Sequence, residues 1–225
     1  LKSIAQAVSM VNAGEADILM KGLCSTDKYM RGILNKENGL LPPKAVLSHV
    51  CVVQNPGYHK LLVISDIAVI PAPDLKQKQA MIGYVANTAR ALGVEKPKVA
   101  MITATEQMLP GMPACVEAAM LAKMSDRGQI AGCVVDGPLA LDVALCKEAA
   151  EIKKLKSEVA GDADCCVFPS IEAANVFYKF AGHFCPGVKM AAMVAGAKAP
   201  CVLSSRADST ETKLNSIALA ALTAK

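Results

Sequence analysis

Short apolar, β-branched runs alternate with helical segments along almost the whole chain, and this alternation limits the fold more than any single motif does. Val46 to Val53, Leu61 to Ile67, Val99 to Ala104, Ile130 to Val135 and Asp164 to Phe168 each read as a buried strand. Asn55-Pro56-Gly57 separates the first two and predicts a hairpin turn. Pro73-Asp74 opens a helix reaching about Leu92-Gly93, and Pro113 begins one to about Met124. Ala144 to Lys153 and Ile171 to Phe180 continue the series. Repeated strand and helix units predict an α/β fold with a mostly parallel sheet and helices on both faces. Composition supports this: 53% of the 225 residues are hydrophobic but only 4% are aromatic, which suits helices on parallel strands better than a β-sandwich.

At the start, Ile4, Ala7, Val8 and Val11 carry a helical pattern that Gly14 stops. Ala16 to Met20 then reads as a strand, Lys21-Gly22 as a turn, and Thr26 to Asn35 as a helix. Because a helix is already running at Leu1, the chain is expected to continue a longer polypeptide. Leu41-Pro42-Pro43 interrupts the chain and predicts a domain crossing. Near the other end, Val188 to Leu203 mixes apolar runs with Gly196 and Pro200, and a closing helix follows from about Ser209 to Ala221.

Charge and cysteine usage narrow the functional classes. The net charge of +4 is spread along the chain without basic and aromatic interleaving, which argues against a nucleic-acid surface and for small anions as ligands. Apolar runs such as Met190 to Gly196 are too short to span a bilayer, so no membrane partner is expected. Nine cysteines, no C-x-x-C pair and three histidines give a zinc site little support; free thiols in a cytoplasmic protein are the economical reading. Cys165-Cys166, inside an apolar run, reads as core. The glycine-rich dinucleotide and P-loop patterns are absent, as are G-x-S-x-G and H-E-x-x-H.

Four places could carry chemistry. Ser205-Arg206-Ala207-Asp208-Ser209 lies between an apolar strand and a helix start, where a guanidinium fork and a hydroxyl suit a phosphate; the alternative is that Asp208 or Ser209 caps the helix and Arg206 is solvated. Lys21 stands at the carboxyl end of a strand, well placed for an anion, or in a plain turn. Arg31 binds an anion or is an exposed helix charge. Asp136 to Asp142 reads as a loop that either shapes a pocket or turns into the next helix.

Several motifs, taken in order, resemble the phosphate acetyl/butyryltransferase family, with its butyryl branch the nearer. They are Ala16 to Gly22, Leu47-Ser48-His49-Val50, Asp136-Gly137-Pro138-Leu139-Ala140-Leu141-Asp142, Val159 to Asp164, Ile171 to Val176 with Tyr178-Lys179, Ser204 to Ser209, and Lys213 to Ala220. Together they cover essentially the whole chain.

The resemblance implies two α/β/α domains of the isocitrate/isopropylmalate dehydrogenase-like class. Residues 1–42 and 198–225 would form a discontinuous first domain, shortened at its start, and 43–197 the second, with the site in the cleft between them. It also implies a homodimer that exchanges a short acyl group between coenzyme A and inorganic phosphate. Acyl-CoA and phosphate or acyl phosphate would be its ligands, coenzyme A a substrate, and no cofactor would be tightly bound. Matched motif by motif, Ser205 and Arg206 sit at the reacting acyl phosphate and Arg31 binds the anion, while Lys21, Ser48 and Asp136 are taken as substrate-binding. The acetyl branch carries an aspartate further along the last helix where this chain has Thr212, so Asp208 is the carboxylate assigned as base. One reading of the resemblance makes this chain the C-terminal part of a longer fusion, in which such a module follows an enoyl-CoA hydratase-like domain. Two other classes stay open: a non-catalytic interaction or regulatory fragment, and an NAD-dependent oxidoreductase of related fold.

Overall fold

The computed structural model describes residues 2–205 and 208–224. The chain begins with α1 (Lys2–Asn12), β1 (Leu19–Met20) and α2 (Thr26–Ile33), the last capped by Ser25, whose hydroxyl accepts the Lys28 N–H at 3.4 Å. A hairpin of β2 (Ser48–Gln54) and β3 (Leu62–Ser65) follows. Then come α3 (Leu75–Ala91), β4 (Lys98–Ile102), α4 (Pro113–Asp126), β5 (Val134–Leu139), α5 (Leu141–Leu145), α6 (Lys147–Ile152), β6 (Cys165–Val167) and α7 (Ile171–Phe184). The chain closes with β7 (Lys189–Ala195), β8 (Cys201–Val202) and α8 (Thr210–Thr223).

Among the described residues, eight strands form one sheet in the order β1-β8-β7-β2-β3-β6-β4-β5. Four of its seven pairings are parallel, and β2 is antiparallel to both β3 and β7. Side chains alternate across each strand, so the two faces build separate cores. Val50, Val52, Val63, Val99, Val167 and Met193 pack beneath α3, α4 and α8. Cys51, Val53, Ile64, Ala100 and Cys166 face α5, α6 and α7. On that second face, near the β1 edge, Leu19, Leu47, Val194, Cys201 and Leu203 meet Val8, Tyr29 and Ile33 of α1 and α2. The α/β class with helices on both faces is therefore as expected. Among the described residues, no helix is long and apolar enough to cross a membrane.

Three expected elements differ, each for a physical reason. β1 is two residues long because its partner β8 is, and Pro200 just before β8 has no N–H to extend the ladder. β5 starts after Gly132, whose φ of +78° makes a turn, and runs through Asp136-Gly137-Pro138 beside β4. Asp136 is consequently a strand residue and not the loop residue expected. The helix expected over Ala144 to Lys153 is two, broken at Cys146, whose backbone is extended.

Candidate active site

β1 and β8 come from opposite ends of the chain and run parallel, with Leu19 opposite Cys201 and Met20 opposite Val202. Their carboxyl ends therefore lie side by side, and the Lys21 N–H donates to the Val202 carbonyl at 3.0 Å. Strand alternation directs Lys21, like Leu19, Cys201 and Leu203, toward the face covered by α1, α2 and α7. Lys21 is only 7% exposed, and its ammonium donates to the carbonyl of Gly22 at 3.2 Å. Among the described residues no carboxylate pairs with it. A buried lysine is ordinarily paired, so this one marks a place suited to an anion.

After β8 the chain passes through buried Leu203 into a turn that Asp208 holds closed. The Ser205 N–H donates to Asp208 Oδ2 at 2.6 Å, and the Asp208 N–H returns to the Ser205 carbonyl at 3.2 Å. The Tyr178 hydroxyl, from α7, donates to Asp208 Oδ1 at 3.4 Å. Burial raises the Tyr178 pKa, and the Asp208 carboxylate beside it adds to this, so the hydroxyl stays a donor. Ser209, not Asp208, caps α8, its hydroxyl accepting the Thr212 N–H at 3.1 Å. A cavity of about 260 Å³ opens beside the turn, bounded by Tyr178, Lys189, Asp208, Ser209, Thr212 and Asn215.

Beneath Leu203 lies His49, on β2 and two residues before Cys51. Its side chain is 5% exposed, and among the described residues neither ring nitrogen has a hydrogen-bond partner. Burial pushes the ring's pKa down to about 4 against the opposing pull of the Leu203 main chain, so the imidazole is neutral at pH 7. The His49 N–H donates to buried Asp66 Oδ2 at 3.1 Å, and Asp66 Oδ1 accepts the Ala68 and Val69 N–H groups, each at 2.8 Å. Burial raises the Asp66 pKa despite these donors. Sequence reasoning did not single out His49, Asp66 or Tyr178 as site residues; a histidine inside the apolar run from Leu47 to Val53 was the available signal.

The remaining expected residues divide clearly. Lys21, Ser205 and Asp208 occupy one end of the β1-β8 pair. Arg31 is on the last turn of α2, its side chain 76% exposed and ion-paired to Asp27 at 3.1 Å. Ser48 is fully buried with its hydroxyl 2.6 Å from that of Ser65, so it supports the sheet beside Asp66 and is closed to solvent. Asp136 lies on the opposite edge strand, six strand spacings from β8, or about 29 Å at ~4.8 Å each, and accepts its neighbour Gly137's N–H at 2.8 Å. That separation removes Asp136 from the Ser205 turn. Arg206 lies outside the described residues.

The sequence matches the family described as phosphate acetyl/butaryl transferase over residues 1–221. The chain belongs to that family. This makes it an acyltransferase by descent. It is 50% identical over 223 residues to phosphate butyryltransferase from Clostridium acetobutylicum, covering 99% of this chain and 73% of that protein. Phosphate acetyltransferase from Thermotoga maritima is 46% identical over 216 residues, 96% of this chain and 73% of that protein. The crystal structure of a branched-chain phosphotransacylase from Enterococcus faecalis V583 superposes with a TM-score of 0.89 at 34% identity, covering 98% of this chain and 78% of that one. Relatives within the phosphate acetyl/butaryl transferase family thus include both butyryl and acetyl enzymes by name.

Proposed function

We propose that this chain exchanges a short acyl group, acetyl or butyryl, between coenzyme A and inorganic phosphate by direct attack of the coenzyme A thiolate on the acyl-phosphate carbonyl. The observation that carries this reading is buried Lys21, whose ammonium meets no carboxylate among the described residues, at the end of the β1-β8 pair that leads into the Ser205 turn, a site that an anion would complete.

The thiol proton passes to Asp208, the nearest carboxylate, and the thiolate adds to the carbonyl carbon. The Ser205 hydroxyl donates to the oxyanion that develops, a contact typically worth ~3 kcal/mol. The bond between the carbonyl carbon and the phosphate oxygen then breaks, the carbonyl reforms as a thioester, and phosphate leaves. Phosphorus itself is never attacked. Lys21 and Arg206 balance the charge on the departing group. Arg31 joins them by leaving Asp27, because an exposed pair of this kind is worth only about 0.3–0.5 kcal/mol. The cavity bordered by Asp208 and Thr212 gives the thiol a route to the turn.

The same proposal includes a first domain of residues 1–42 and 198–225, a second of residues 43–197, and a homodimer as the working form. The pairing of β1 with β8 supports the discontinuous first domain. Light scattering after size exclusion measures the assembly.

Incubating the chain with acetyl-CoA or butyryl-CoA and phosphate, and following thiol release together with acyl-phosphate formation, tests the reaction. The ratio of initial rates settles acyl length, for which one methylene counts for only about 1–3 kcal/mol. Arg206→Ala is expected to depress turnover severely. Near-normal acyl-phosphate formation by that variant would discard the assignment.

A further inference from the structure

The most anomalous group near the turn is His49, which the mechanism above does not use. Both ring nitrogens are shut off from water and, among the described residues, lack a hydrogen-bond partner, although the imidazole must carry at least one N–H. Such a buried donor is costly, whereas an apolar ring of the same shape would fit a sheet face at no such cost. The surroundings show what the donor is near. His49 pairs across β2 and β7 with Val194, which pairs with Cys201, two residues before Leu203. The Leu203 main chain faces the ring and favours its protonated form, as a carbonyl acceptor does, yet it falls short of hydrogen-bond geometry. Leu203 leads directly into Ser204 and Ser205. On its other side His49 is anchored rigidly, its N–H held by Asp66 and its carbonyl accepting the Ile67 N–H at 3.3 Å.

We propose that His49 is a positioning residue for the anion site: its buried, neutral imidazole is a donor held in reserve for the Leu203 carbonyl, and it fixes the Ser204-Ser205 turn when phosphate or acyl phosphate binds. The inference rests on the transferase reading for what the turn binds. It adds a residue that touches neither substrate and acts only through the backbone. The immobile side of the contact is β2, whose seven residues pair with β7 along their whole length. The side that moves is the turn, whose strand β8 meets β7 at the single pair Val194 and Cys201. Anion binding by Lys21 and the turn would draw Leu203 the short distance that completes the bond.

The test uses the full chain and three variants, His49→Phe, His49→Gln and His49→Asn. With turnover, His49→Phe should lower kcat/KM for phosphate about tenfold while KM for acyl-CoA stays within about twofold, and its melting temperature should not fall. His49→Gln or His49→Asn, which retain an N–H, should recover part of the loss. A merely structural histidine would show the opposite split, with unchanged kinetics and altered stability; wild-type kcat/KM for phosphate in folded His49→Phe overturns the proposal. The second measurement is ¹⁵N NMR of the three histidine rings during titration with inorganic phosphate, His49 being assigned by its loss in the variants. The His49 signals should move toward a hydrogen-bonded N–H, and signals that ignore phosphate overturn the proposal even where a variant does not fold. If the unaltered chain releases no thiol, the transferase reading falls, and the phosphate titration alone still decides on His49.

Discussion

Asp208 Oδ2 lies 2.6 Å from the Ser205 nitrogen, so the carboxylate proposed as the base also braces the residue proposed to stabilise the oxyanion. Asp208→Ala removes both roles, while Asp208→Asn keeps an acceptor for the Ser205 N–H. Acting as the base, Asp208 should show a loss in kcat of at least about a hundredfold in both variants. Steady-state kinetics at saturating acyl-CoA measure it. An Asp208→Asn enzyme within about tenfold of the parent would leave Asp208 only the bracing role.

Lys21 predicts an opposition between stability and binding. Lys21→Met removes a buried charge without a carboxylate partner among the described residues, so unfolding free energy should hold or rise. KM for phosphate should increase about tenfold or more, because the cation facing the anion is gone. Urea denaturation and phosphate kinetics on the same preparation make the comparison. A large drop in stability with an unchanged KM would mean that Lys21 is structural.

His49 gives a pH dependence of definite sign. Its folded-state pKa is about 4 against an ordinary 6.5, so between these values the unfolded chain binds a proton that the folded chain refuses. The full stability contribution is therefore present above about pH 6.5 and declines as pH falls toward 4, by about 3 kcal/mol in all. Urea unfolding from pH 7 to pH 4 should show this decline, and His49→Phe should lack that share of it.

Gly196, in the connection from β7 to β8, has a φ of +96°, and a Cβ there would lie 2.1 Å from the Val46 carbonyl oxygen and 2.7 Å from the Tyr84 hydroxyl. That hydroxyl donates to the same carbonyl at 2.6 Å. Gly196→Ala combines backbone strain with the loss of this contact and should cost about 3 kcal/mol, read from the shift in denaturation midpoint.

The parts of the fold legible in the sequence were those set by local chemistry. Asp74 begins α3 through a reciprocal capping box with Gln77, Asn55-Pro56-Gly57 turns the β2-β3 hairpin, and Ser209 caps α8. The differences arise where a distant partner decides. β1 ends where β8 ends, and β5 runs on through Gly137-Pro138 because β4 offers a ladder, although those residues read locally as a turn. The same holds for the site. Lys21 and Ser205 could be proposed from their places at strand ends, but the burial of Ser48 and the distance of Asp136 depend on the order of strands in the sheet. His49 could be noticed in its apolar run, while its lack of partners is a property of the packed core.

β8 is two residues long, joined to β7 by one register pair and to β1 by two. Its attachment to the central sheet is therefore slender, and the floor of the site shares its stiffness more with the start of the chain than with the strands in the middle. Amide exchange at Lys21 and Leu203 should accordingly outpace exchange along β2, and phosphate should slow it by fastening one terminus of the polypeptide to the other.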